Sequence, residues 1–176
     1  MKADVVPVQV MGISPIDNQG VAVLIGNDEK VFVITVDTYV GRAIAMSLQG
    51  RRNERPLTHE LIGLVFTAFS ISIDHMVIND LRSNTYFARL ILKAENEVHK
   101  KFVEIDARPS DCLAVTLQAK RPIFVSREVW DEVEDATEIL EKLKQSPDAE
   151  EAEAPDDPLF GDDEDDDQDH KDDQDK

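Results

Sequence analysis

The sequence predicts an α+β fold: a mixed, mostly antiparallel sheet with packed helices, followed by an acidic C-terminal tail that does not fold. Three observations predict it. Short runs rich in β-branched residues, punctuated by turn residues, fill the first 36 positions and return after Ser70. Between and after them, apolar residues recur at helical spacing. The acidic residues gather at one end. Residues 146–176 hold 16 Asp and Glu against 2 Lys, a net of −14, whereas residues 1–145 carry 17 basic and 21 acidic side chains, only −4 of the total −18. The expected division is therefore one domain over 1–145 and a tail over 146–176.

Taken in order, residues 5–13 read as a strand, Asp17-Asn18-Gln19-Gly20 as a turn, 21–25 as a second strand and 31–36 as a third. Val31-Phe32-Val33-Ile34 is apolar on both parities, so this strand is expected to be buried on both faces. Val40, Ala43, Ile44, Ser47 and Leu48 form a helical stripe that Gly50 can close. Leu57, Leu61, Leu64, Val65 and Ala68 form a second stripe, and Ile62, Phe66 and Phe69 cover another side, so the second helix is expected to be buried over most of its surface. Ile71 and Ile73 alternate with polar residues. Strands over 77–81 and 85–92 flank Arg82-Ser83-Asn84 as a hairpin. A strand follows over 98–106. Pro109 suits the first position of a helix running to about Ala119. Ile123-Phe124-Val125 is a short strand, and Ala136, Ile139, Leu140 and Leu143 mark a last amphipathic helix with Glu138 and Lys142 at i,i+4.

An internal likeness runs through this order. Residues 34–52 lie over 103–121 without a gap, with identities at Asp37/Asp106, Ala45/Ala114, Leu48/Leu117, Gln49/Gln118 and Arg52/Arg121. Each copy reads as strand, Asp, helix, basic exit, which predicts two similar strand–helix units sharing one sheet.

Several function classes fall away. The one cysteine, Cys112, allows neither an internal disulfide nor a cysteine zinc site, and fits a cytoplasmic location. Asp4 and Gln9 interrupt the N-terminal apolar stretch, so no signal-peptide core is expected, and no stretch reaches the length of a membrane helix. There is no Walker A loop, Rossmann fingerprint or nucleophile elbow. The block Asp162-Asp163-Glu164-Asp165-Asp166-Asp167 repels itself and has nothing to bury. Such a tail can solubilise, bind basic proteins, or compete with nucleic acid for a basic groove.

Two polar clusters interrupt the hydrophobic pattern at predicted helix starts: Arg55-Pro56-Leu57-Thr58-His59-Glu60-Leu61 and Asp106-Ala107-Arg108-Pro109-Ser110-Asp111. One reading is capping. Thr58 or Ser110 accepts from the first turn, Glu60 and Asp111 face the helix dipole, and Asp106 pairs with Arg108. The other is chemical. Helix N-termini and Arg55, Arg108 and Ser110 would bind phosphate, and His59 would transfer a proton. Asp106, Asp111 and Glu60 are hard oxygen donors suited to a divalent cation such as Mg²⁺. Together these are the parts for metal-assisted phosphodiester hydrolysis. Trp130, Phe66 and Phe69 read as core rather than as nucleobase platforms, and His75 and His99 as isolated histidines.

At these clusters the chain resembles the bacterial bifunctional nuclease domain family. The resemblance is carried by the two strings above, by Asn84-Thr85-Tyr86-Phe87-Ala88 and by Pro122-Ile123-Phe124-Val125, in order from about Val5 to about Val129. It implies a compact mixed-sheet α+β fold, a homodimer, and nuclease activity on DNA and RNA. By motif it carries over His59, Glu60 (commonly Asp in the family), Arg55, Asp106, Arg108, Ser110 and Asp111. Members often carry a Glu at the start of the first helix, where this chain has Val40. The leading expectation is a nuclease with His59, Glu60, Asp106 and Asp111 as catalytic residues. The alternative is a non-catalytic binding or regulatory module for an anionic ligand or a basic partner protein.

Overall fold

A computed structural model describes residues 4–16, 20–51, 53–95 and 100–145. The expected turn at Asp17, Asn18 and Gln19, the residues Arg52, Val98, His99 and His170, and the acidic tail lie outside the described residues.

Among the described residues, seven strands form one sheet in the order β3-β2-β1-β7-β4-β5-β6. They are β1 (Val5–Ile16), β2 (Gly20–Gly26), β3 (Val31–Val36), β4 (Ile71–Arg82), β5 (Thr85–Glu95), β6 (Lys100–Ala107) and β7 (Ile123–Ser126). The helices are α1 (Thr38–Leu48), α2 (Thr58–Ala68), α3 (Pro109–Gln118), α4 (Arg127–Glu132) and α5 (Thr137–Gln145). All pairings are antiparallel except β4 with β7. The sheet is thus mixed and mostly antiparallel, as expected.

The internal likeness has a topological counterpart larger than a strand and a helix. β1-β2-β3 is an antiparallel meander that leads into α1, β4-β5-β6 is another that leads into α3, and β7, the shortest strand, joins the two halves. The gapless overlay fails at the caps. Asp37 is the N-cap of α1 and accepts from Val40 N–H at 3.0 Å, whereas Asp106 is still on β6 and α3 starts from Arg108. Both helices end alike. Gly50 (φ 68°) and Lys120 (φ 52°) take the left-handed position, and Arg51 and Arg121 donate back to the Met46 and Thr116 carbonyls.

The main core lies between the sheet and α1, α3 and α4, with Phe32, Ile44, Met76, Ile78, Leu113, Val125 and Trp130 at its centre. A smaller cluster on the other face joins Ala22, Leu24 and Val31 to Leu140 of α5. β3 therefore packs on both faces, as its pattern predicts. The hairpin expected around Arg82-Ser83-Asn84 is present, but Arg82 pairs with Thr85 on the strands and the turn itself is only Ser83 and Asn84, both at positive φ.

Two expectations need correction. The pattern missed α4, a helix too short for periodicity to declare itself. More consequentially, α2 is not buried. None of its residues is buried, and Leu61, Leu64 and Val65 are exposed. Phe69, expected in the core, is 74% exposed, and Phe66 is only partly buried. The sheet and α1, α3 and α4 already close the main core, so α2 rests outside it. Between α2, α1, α3 and the start of β4 lies a cleft of ≈ 660 Å³ with Leu64, Phe66 and Ile73 on its apolar wall.

Candidate active site

The two polar clusters come together. His59, in the first turn of α2, places Nε2 3.2 Å from Asp111 Oδ1, in the first turn of α3. Arg108 donates to the same carboxylate, from Nε to Oδ2 at 2.8 Å and from the terminal nitrogen to Oδ1 at 3.3 Å. Asp111 thus bridges a histidine from one string and an arginine from the other. The Arg108 partner is Asp111 at i+3, not Asp106, because Arg108 is the N-cap and Asp111 faces it across the first turn.

The electrostatics follow from this bridge. Burial pushes the Asp111 carboxyl up, but hydrogen bonds from Arg108 and His59 outweigh burial and hold it below the usual carboxylate range. The hydrogen bond to Asp111 raises the Arg108 guanidinium, and the more distant Asp37 carboxylate adds to that. The starts of α1 and α3 are therefore neighbours. Cys112 is the opposite case. Burial, with Asp111 and Asp106 nearby, pushes its thiol up to about 12, so it is a packing residue and not a nucleophile.

Neither expected hydroxyl caps its helix. The N-caps are Leu57 and Arg108, with Thr58 and Ser110 already inside. Leu57 has no side-chain acceptor, and Arg108 makes no capping bond. Glu60 instead turns back to accept the Leu57 N–H at 2.9 Å and an Asn53 side-chain N–H at 3.1 Å. Neither N-cap residue supplies a side-chain acceptor to its own helix start, and helix N-termini in general favour anions.

The remaining expected residues sit further out. Arg55 is exposed on the bend before α2. Ser110 is half-buried in the first turn of α3. Asp106 is exposed on β6 opposite Arg89, whose guanidinium pairs with Glu104 at 2.8 Å instead. The three carboxylates expected to hold a cation do not form a cage here. Asp111 is engaged by Arg108 and His59, Glu60 by the cap of α2, and Asp106 stands on the strand. Among the described residues no three His, Cys, Asp or Glu side chains are grouped to hold a metal ion.

Val40 is 6% exposed and belongs to the main core, so the family's frequent acidic position is here a packing position. His75, isolated in the sequence pattern, places its Nδ1 2.7 Å from Asp74 Oδ2, and Arg121 donates to the Asp74 carbonyl at 3.1 Å. The neighbouring acid at position 74 was the available signal.

A family model described as the bifunctional nuclease domain matches residues 22–138. An uncharacterized protein from each of two strains of Mycobacterium tuberculosis is 33% identical over 125 residues, covering 69% of this chain and 72% of the relative. No helix among the described residues is long and apolar enough to cross a membrane.

Proposed function

Because the chain belongs to the bifunctional nuclease domain family, we propose that it hydrolyses phosphodiester bonds of DNA or RNA at the meeting point of α2 and α3. The observation that carries the proposal is the His59–Asp111–Arg108 contact, which brings His59 and Asp111, 52 residues apart, together from the two motifs and would supply the parts of an acid–base and phosphate-binding group. With its Nε2 proton directed at Asp111, His59 leaves Nδ1 free to take a proton from an attacking hydroxyl or water and to return it to the leaving oxygen. Asp111 would hold the ring's orientation and stabilise the imidazolium. Arg108 and Arg55, with the positive ends of the two helix dipoles, would take up phosphate charge. No step is routed through a cation, since the donor set does not converge. The Mg²⁺ expectation passes to the assay.

A homodimer belongs to the same proposal, and so does a role for the tail against basic partners. A binding module for an anionic ligand is the second reading. It is favoured by Glu60, whose carboxylate is occupied with the cap of α2.

The test is cleavage of single- and double-stranded DNA and of RNA, with Mg²⁺, with Mn²⁺ and with chelator. His59→Ala and Asp111→Asn serve as contamination controls. Cutting that falls by roughly 100-fold or more in both variants, the range lost with a general base, supports the nuclease reading. Equal trace activity in all three proteins, with retained binding of an oligonucleotide, replaces it with the binding module.

A further inference from the structure

The two edges of the sheet are treated differently. At the β3 edge, the chain entering α5 lies alongside: Ala136 N–H donates to the Val31 carbonyl at 2.7 Å, and the Asp135 carboxylate accepts from Val31 N–H at 3.5 Å. At the other edge, β6 pairs only with β5, and nothing among the described residues lies along its far side. All of its residues but Ala107 are exposed, Phe102, Val103 and Ile105 among them. An unpaired edge strand is a template for another strand, and this one carries three exposed apolar residues among four charged ones, so charge selects what can pair with it.

The sequence of this edge complements itself. An antiparallel pair of β6 strands related by a twofold axis normal to the sheet keeps each residue's face, so opposing residues must share parity. With the axis at Val103, Val103 faces its own copy, Lys100 faces Asp106, and Lys101 faces Ile105. Moving the centre to Glu104 sets two carboxylates opposite each other. Moving it to Phe102 sets Lys100 opposite Glu104 but pairs only residues 100–104 of those described. Among the described residues of β6, the Val103 register gives the longest ladder with opposite charges across it.

We infer that a second copy of this chain docks on β6, extending the sheet antiparallel across a twofold axis at Val103. This deepens the homodimer proposed above and rests on it. The register places Lys100 of the second copy opposite Asp106, two residues before Arg108. Each copy would then lend a cation to the margin of the other's candidate site.

Sedimentation of the full-length chain over a concentration series is the test. Val103→Arg sets like charges face to face and is expected to weaken the dimer on the order of 100-fold. Lys100→Glu weakens it as well, and the double variant Lys100→Glu/Asp106→Lys restores it by reversing both cross-strand pairs. Val103→Cys is expected to yield a disulfide-linked dimer on mild oxidation, since facing antiparallel residues lie within disulfide reach. Phe69→Ser, on the exposed apolar side of α2, should leave the dimer intact.

A monomeric full-length chain overturns both the homodimer and this interface, including the case in which its own acidic tail occupies Lys100 and Lys101. A dimer that survives Val103→Arg, gives no cross-link with Val103→Cys and dissociates with Phe69→Ser overturns the β6 interface alone and moves the contact to α2. Neither readout depends on nuclease activity, so failure of the catalytic reading is distinguishable from both.

Discussion

At the scale of single residues, Asp111 organises the site. Its carboxylate carries hydrogen bonds to both His59 and Arg108, and these outweigh the cost of its burial and lower its proton affinity. A depressed folded value means that the pairing contributes stability above the ordinary carboxylate range, near pH 4, and that this is lost as pH falls through the folded value. Asp111→Asn is therefore expected to lower the melting temperature at pH 7, with the gap to wild type narrowing as pH falls below about 4. Thermal melts at pH 7 and below about pH 4 check it, and a gap that does not change with pH would remove the charge from the account. Both partners were legible in the sequence as members of polar strings. Their contact was not, because it depends on where α2 comes to rest, and nothing local to residues 55–61 encodes that.

Among the elements, the helix ends are where local chemistry and fold agree most closely. Asp37→Ala removes the α1 cap and is expected to cost about 1 kcal/mol in denaturant melts. Lys120 sits at the left-handed position that Gly50 fills in the other half. Lys120→Gly should thus stabilise by up to about 1 kcal/mol, the strain relieved less the added chain entropy. Gly41 lets α1 approach β2 so closely that a Cβ there would lie 2.6 Å from Val21. Gly41→Ala is expected to destabilise by about 1–3 kcal/mol, measured in the same way. α2 shows the limit of such reasoning. Its apolar sides read as a buried helix, but periodicity reports only that a face is apolar, not what covers it.

For the whole molecule, charge and sheet order matter most. The body is near neutral and the tail carries most of the net charge, so on the proposed reading nucleic acid would meet local basic groups rather than a basic field. A full-length variant with Asp162, Asp163, Glu164, Asp165, Asp166 and Asp167 changed to their amides is expected to bind single-stranded DNA more tightly than wild type. The difference should shrink as salt rises, which titrations at two ionic strengths would read. Unchanged affinity at low salt would show that the tail does not compete for the groove.

The sequence alone determined the strands, the hairpin at Ser83 and Asn84, Pro109 as the first residue of α3, the double-sided burial of β3 and the two motif strings. These follow from short-range spacing, turn residues and side-chain chemistry, which act over a few positions. Only the tertiary structure decided that β7 joins two meanders, that α2 stays outside the core, that Arg108 pairs with Asp111 rather than Asp106, and that Asp111 also meets His59. Those outcomes depend on which surfaces compete for the same core and on contacts between distant segments, and no local pattern ranks them.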